Sequence, residues 1–168
     1  MNDTEPEDLL PKWKQELLQR LPLFGHRNWI VIADSAYPLQ SAAGISTITA
    51  NADQLTVVRE ALALIADSEH VEARTYVDRE LDFVDERYAR GITAYRQRLA
   101  PLLRQTTTLR LPHDEIIDKL DKQARVFSIL IIKTSMTLPY TSVFIELQCG
   151  YWEAAAEECL RSAMSSEK

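Results

Sequence analysis

Glycine is scarce in this chain, with four residues among 168. None of them forms a GxGxxG or a GxxxxGK(S/T) pattern, so dinucleotide-binding and P-loop readings both fall. Cysteine is rarer still. Cys149 and Cys159 show no CxxC or Cys/His spacing, which rules out a disulfide framework and argues against structural zinc. Two reduced thiols suit a cytoplasmic protein. No apolar run approaches the roughly 18 residues of a membrane span; the longest, Val126 to Ile132, contains Ser128. Positive charge is also in deficit, 19 Lys and Arg against 25 Asp and Glu for a net charge of -6. Nucleic acid, which demands a basic patch, is not an expected partner. The opening residues Met1 to Asp8 are acidic where a secretory signal would be basic and then apolar.

What remains is an ordinary globular composition, 46% hydrophobic and 26% charged, long enough for one domain over residues 1–168 with its own core. Leu10, Trp13, Leu17 and Leu21 recur at helical spacing, closed by Pro22 and Gly25. Trp29 to Ala33 reads as a buried strand and Gly44 to Ala50 as a second. Asp53 is a candidate N-cap for a helix with the stripe Leu55, Val58, Leu62 and Ile65. Val71 to Leu81 alternates like a strand. A long helix is expected from about Asp85 to Arg104, with Tyr88, Ile92, Tyr95, Leu99 and Leu102 on its inner side. Thr106 to Leu111 is β-prone, and His113 opens a helix with Ile116, Leu120 and Ala124 inward. Val126 to Thr134 and Thr141 to Cys149 close the core, and Tyr151 to Met164 is an extra C-terminal helix. Alternating strands and helices predict an α/β fold, a single three-layer domain with a mainly parallel sheet and helices on both faces.

Polar chemistry in such folds gathers at strand ends. His26 precedes the strand Trp29 to Ala33 and Asp34 follows it. Histidine titrates near neutrality and is the natural proton shuttle; the alternative is a ring bonded to backbone at the chain's corner. Asp34 is either a ligand contact or a turn former. His113 stands at a helix start, while His70, in the polar Asp67 to His70 turn, reads as solvated surface. Tyr140, Thr141 and Ser142 place three hydroxyls before the last strand, enough to bind a polyol. Glu146 is a carboxylate in a core strand and needs a partner, for which Lys133 is the candidate. A metal set of His26, His113 and Glu146 is an open alternative. An extended chain from His26 to Asp34 spans about 20 Å, so the two meet only if the Gly25 to Asn28 loop folds back or adjacent subunits bring them together.

Gly25-His26, the strand ending in Asp34, the small-residue turn to Pro38, His113, and Pro139-Tyr140-Thr141-Ser142 together resemble the D-ribose pyranase and L-fucose mutarotase proteins of the RbsD/FucU family. The resemblance runs from about residue 9 to 150. It implies an isomerase exchanging anomers or ring forms of an unphosphorylated monosaccharide, without metal or cofactor. It also implies a ring-shaped homo-oligomer with sites between subunits. By the same resemblance His26 is the proton donor, and Asp34, His113, Tyr140, Thr141 and Ser142 contact the sugar. The chain departs from the family pattern at Arg27-Asn28, Lys133-Thr134-Ser135-Met136, Ser142 and Glu146. A non-catalytic carbohydrate-binding or regulatory module on the same fold is the other expectation.

Overall fold

The computed structural model describes residues 9–166, so the acidic Met1 to Asp8 segment lies outside the described residues. In chain order the elements are α1 (Lys12–Arg20), β1 (Trp29–Ala33), β2 (Ile45–Thr49), α2 (Gln54–Ala66), β3 (Val71–Asp78), α3 (Ile92–Leu103), β4 (Thr107–Leu111), α4 (His113–Ala124), β5 (Ile129–Lys133), β6 (Val143–Cys149) and α5 (Ala154–Ser165). Six strands form one sheet in the order β2-β5-β1-β6-β3-β4. Strand β5 runs parallel to β1 and β2, and β3 runs parallel to β4. β6 is antiparallel to both β1 and β3, so it alone reverses direction. The expected α/β domain with a mostly parallel sheet is the observed one.

β1 lies between β5 and β6, and all five of its residues are buried. That is why its sequence is apolar throughout rather than alternating. Ile30 and Ile32 face the larger core, made with Trp13 and Leu17 of α1, Val57, Val58 and Ile65 of α2, and Ile92 and Leu99 of α3. Trp29 and Val31 face the other way, onto Ile116, Leu120 and Ala124 of α4. Each such side chain contributes about 1.5–3 kcal/mol by leaving water. Asp53 caps α2 as its position suggests, accepting from Thr56 N–H at 3.1 Å. Gly44 is needed where the chain passes the C-terminal end of α4, because a Cβ there would collide with the Ala124 carbonyl.

Three segments differ from expectation. β3 ends at Asp78, and the chain turns through a 3-10 helix at Arg79–Asp82 that buries Leu81. α3 begins at Ile92, not near Asp85, because Gly91 before it adopts φ +96° and breaks the helical path. The Glu86 carboxylate folds back to accept from the N–H groups of Gly91 (2.6 Å) and Thr93 (2.9 Å). Those bonds hold its pKa below the usual carboxylate value; Tyr88, outside the helix, is exposed. His70 is not solvated: its Nε2–H is shared between the carbonyls of Leu21 (3.1 Å) and Phe24 (3.0 Å), since two acceptors require a donor nitrogen. The C-terminal helix α5 forms but buries no residue. Among the described residues no helix is long and apolar enough to cross a membrane.

Candidate functional site

The C-terminal ends of β1 and β3 meet the beginning of β6 at one edge of the sheet. Asp34 follows β1 directly. Its N–H donates to Ser142 Oγ at 3.2 Å, and the Ser142 hydroxyl donates back to Asp34 Oδ2 at 3.1 Å. Asp34 Oδ1 accepts from Ala36 N–H at 2.9 Å, an Asx turn that fixes the carboxylate and the loop together. Asp34 is thus both the turn former and a member of the site edge.

β3 delivers Asp78 to the same edge, 1% exposed. His113 Nδ1 lies 3.0 Å from Asp78 Oδ1, and the His113 backbone N–H is shared by both oxygens of Glu80 at 3.0 Å. Glu80 thereby caps α4 from outside, where the positive end of the helix dipole favours a carboxylate. Burial pushes Asp78 up to about 6, and the Glu80 and Asp34 carboxylates push the same way. The His113 ring opposes that shift without cancelling it. An ionised Asp78 accepts from Nδ1–H and leaves His113 Nε2 as the free acceptor, a geometry suited to taking a proton. Asp78 escaped the sequence reading, although an aspartate closing a strand is the signal that singled out Asp34.

Tyr140 packs edge-on to the His113 ring, 5.8 Å between centroids. Its φ of +56° lies in the left-handed region, costing on the order of 1 kcal/mol or more for a side chain of this size. A buried network holds the loop that carries it. The Thr141 carbonyl accepts from Tyr95 OH at 2.7 Å and from Gln54 Nε2. Gln54 Oε1 accepts from the Thr134 hydroxyl at 3.0 Å. Thr141 is itself fully buried, with its hydroxyl donated to the Leu138 carbonyl at 2.8 Å. It therefore shapes the loop instead of presenting an oxygen to a ligand, unlike the expected sugar contact.

A cavity of about 280 Å³ opens at this edge, lined by Asp34, Ala36, Tyr37, Pro38, Gln40, His113 and Ile117. It sits at the lower end of the range for small-molecule sites. A more apolar hollow of about 450 Å³ is lined by Tyr140 with Phe83, Val84 and Pro112. Another hollow of about 410 Å³, near Glu72, Arg74 and Gln148, contains none of the expected site residues.

His26 and Glu146 lie at the other end of the sheet. Glu146 stands opposite Trp29, the first residue of β1, and opposite Arg74 of β3. Asp78 is four residues further along β3, about 13 Å away. Lys133 belongs to β5, and β1 separates it from β6, so it cannot neutralise Glu146. Glu146 instead accepts from Tyr76 OH at 2.7 Å; burial, then this carboxylate, push the Tyr76 phenol up to about 12. His26 is exposed in the Gly25 to Asn28 turn. That turn is closed by Asn28 Oδ1, which accepts from Gly25 N–H at 2.7 Å. Arg27, at φ +75°, donates its N–H to the Leu147 carbonyl. The loop does not fold back towards Asp34. The three-residue metal set of His26, His113 and Glu146 is therefore not assembled in one chain, and no such group occurs among the described residues.

Three solved structures share this fold. Bacillus subtilis RbsD complexed with D-ribose is 22% identical, with a TM-score of 0.54 over 79% of this chain and 91% of that one. The Streptococcus pneumoniae fucose mutarotase in complex with L-fucose is 19% identical, with a TM-score of 0.56 over 83% and 96%. FucU from Bifidobacterium longum is 17% identical, with a TM-score of 0.54 over 86% and 96%. No curated protein matches the chain by sequence. Residues 11–150 match the RbsD / FucU transport protein family, and the chain belongs to that family.

Proposed function

We propose that the protein is a sugar isomerase of the mutarotase or pyranase type, acting on an unphosphorylated monosaccharide in the cytoplasm as a homo-oligomer. The observation that carries the reading is the gathering of Asp34, Ser142, His113 with Asp78, and Tyr140 at one sheet edge beside a cavity of about 280 Å³. The D-ribose bound to RbsD and the L-fucose bound to the fucose mutarotase support it. Anomer exchange requires a base to take the proton of the anomeric hydroxyl while an acid protonates the ring oxygen. The ring C–O bond breaks, and the open aldehyde recloses on either face by the reverse steps. Asp34, Ser142, His113 and Tyr140 hold the sugar in this proposal. His26 is the proton-transfer group, supplied to the cavity by an adjacent subunit, because its own strand carries it about 20 Å away.

Magnetisation exchange between anomeric protons, measured by NMR with and without protein, tests this. Wild type is expected to accelerate exchange of a free sugar and His26→Ala to abolish the acceleration without changing oligomer size. Unaltered exchange in His26→Ala would remove the assignment. The separation of His26 from the cavity within one chain favours a second reading, a carbohydrate-binding or regulatory module without catalysis. Calorimetric sugar binding with no rate enhancement would select it.

A further inference from the structure

Opening a sugar ring moves two protons, one off the anomeric hydroxyl and one onto the ring oxygen, and His26 accounts for only one of them. Three titratable side chains line the cavity as candidates for the other: Asp34, Tyr37 and His113. Tyr37 is excluded. Its hydroxyl is buried, and burial, then Asp121, Asp78 and Asp34, push its phenol up, so it stays protonated. Asp34 has both oxygens engaged by the fold, Oδ1 by Ala36 N–H and Oδ2 by the Ser142 hydroxyl. His113 is placed differently. Its backbone N–H is held by Glu80 and its Nδ1 by Asp78, which leaves Nε2 without a protein partner among the described residues. The His113 side chain is 36% exposed and that of Asp78 behind it 1%, so a ligand in the cavity meets the ring and not the carboxylate. Tyr140 packs edge-on to that ring.

We propose that His113 is a second catalytic residue, the general base that takes the anomeric proton on Nε2, and that Asp78 is the residue that positions it. In the opening step the anomeric O–H proton passes to His113 Nε2 and its oxygen becomes the aldehyde carbonyl. The ring C–O bond breaks, and the ring oxygen takes a proton from the His26 of an adjacent subunit. Closure on either face returns both protons. An ionised Asp78 accepts from Nδ1–H, which keeps Nε2 bare, and it offsets the charge of the imidazolium as that forms. The inference rests on the sugar-isomerase reading and supplies the second proton-transfer group that its chemistry requires.

Two measurements at pH 8, where Asp78 is ionised, test it. Nitrogen-15 NMR of the wild-type protein without sugar reads the His113 tautomer, and the proton is expected on Nδ1. Anomeric magnetisation exchange at saturating D-ribose or L-fucose, beside calorimetric affinity, is then compared in wild type, His113→Gln and Asp78→Leu. Both variants should bind the sugar within about threefold of wild type yet exchange it at least about a hundredfold more slowly, the loss expected of a missing general base. In Asp78→Leu the His113 proton should move to Nε2. A wild-type proton on Nε2 overturns the proposal, whether or not the variants fold. Exchange by His113→Gln within about tenfold of wild type also overturns it. So does a loss of exchange matched by an equal loss of affinity, because His113 would then only hold the sugar. These outcomes leave the isomerase reading in place. No acceleration of either sugar by wild type overturns that reading and this proposal together.

Discussion

His113 Nδ1 and Asp78 Oδ1 sit 3.0 Å apart, one at the start of α4 and the other at the end of β3. The pair ties an imidazole to a carboxylate whose own proton is held to about pH 6. The folded state binds that proton more tightly than the unfolded chain, where an aspartate titrates near 3.8. The contribution of Asp78 to stability is therefore complete below about pH 4 and is lost as the pH rises through 6.

Asp78→Asn keeps an acceptor for His113 and removes the titration. It is expected to match wild type near pH 4 and to be more stable at pH 8 by on the order of 1–3 kcal/mol. Melting curves of both proteins between pH 4 and 8 check this. A constant offset across the range would show that Asp78 does not titrate there.

If the cavity receives His26 from a neighbour, two inactive variants should rescue one another. His26→Ala and His113→Ala, mixed in equal amounts, unfolded and reassembled together, place an intact pair in about one site in four. Anomer exchange should return to roughly a quarter of the wild-type rate. No recovery in co-assembled oligomers would mean that both histidines serve from the same chain.

Gln54 is the hub of the buried network beneath Tyr140. Gln54→Leu removes its bonds to the Thr134 hydroxyl and Tyr95 OH and leaves the Thr141 carbonyl to Tyr95 alone, while the Thr134 hydroxyl keeps the Ala33 carbonyl at 2.9 Å. A loss of about 2–4 kcal/mol is expected, against about 1 kcal/mol for Tyr95→Phe, which retains the Gln54 bond. Urea unfolding of the two variants measures the difference, and equal losses would argue against the hub.

Helix α5 lies beyond the family match and buries nothing. Truncation after Gly150 is expected to change stability by less than about 0.5 kcal/mol. A larger loss in thermal unfolding would reveal packing of α5 against another copy.

The fold was legible because its signals are local. The apolar run of β1, the Asp53 cap and the inward stripe of α4 each reflect one element's own periodicity. The start of α3 is not legible locally because its determinant is long-range on the sequence scale. Glu86 reaches five and seven residues ahead to cap a helix whose onset Gly91 dictates. Consecutive strands suggest a Glu146–Lys133 pair, which a sheet order placing β1 between β5 and β6 forbids. His70 looked polar by its neighbours, but its partners are backbone carbonyls 46 and 49 residues away. Asp34, His113, Tyr140 and Ser142 do share one edge. His26 does not, and the length of β1 already implied as much.

β6 is near the end of the chain in sequence but central in space. Until residues 143–149 leave the ribosome, the β2-β5-β1 half and the β3-β4 half have no strand to join them. Contacts this distant in sequence make folding slow and expose unpaired strand edges meanwhile. The same late segment brings Ser142 to Asp34, so a nascent chain cannot assemble this edge before its sheet is sealed.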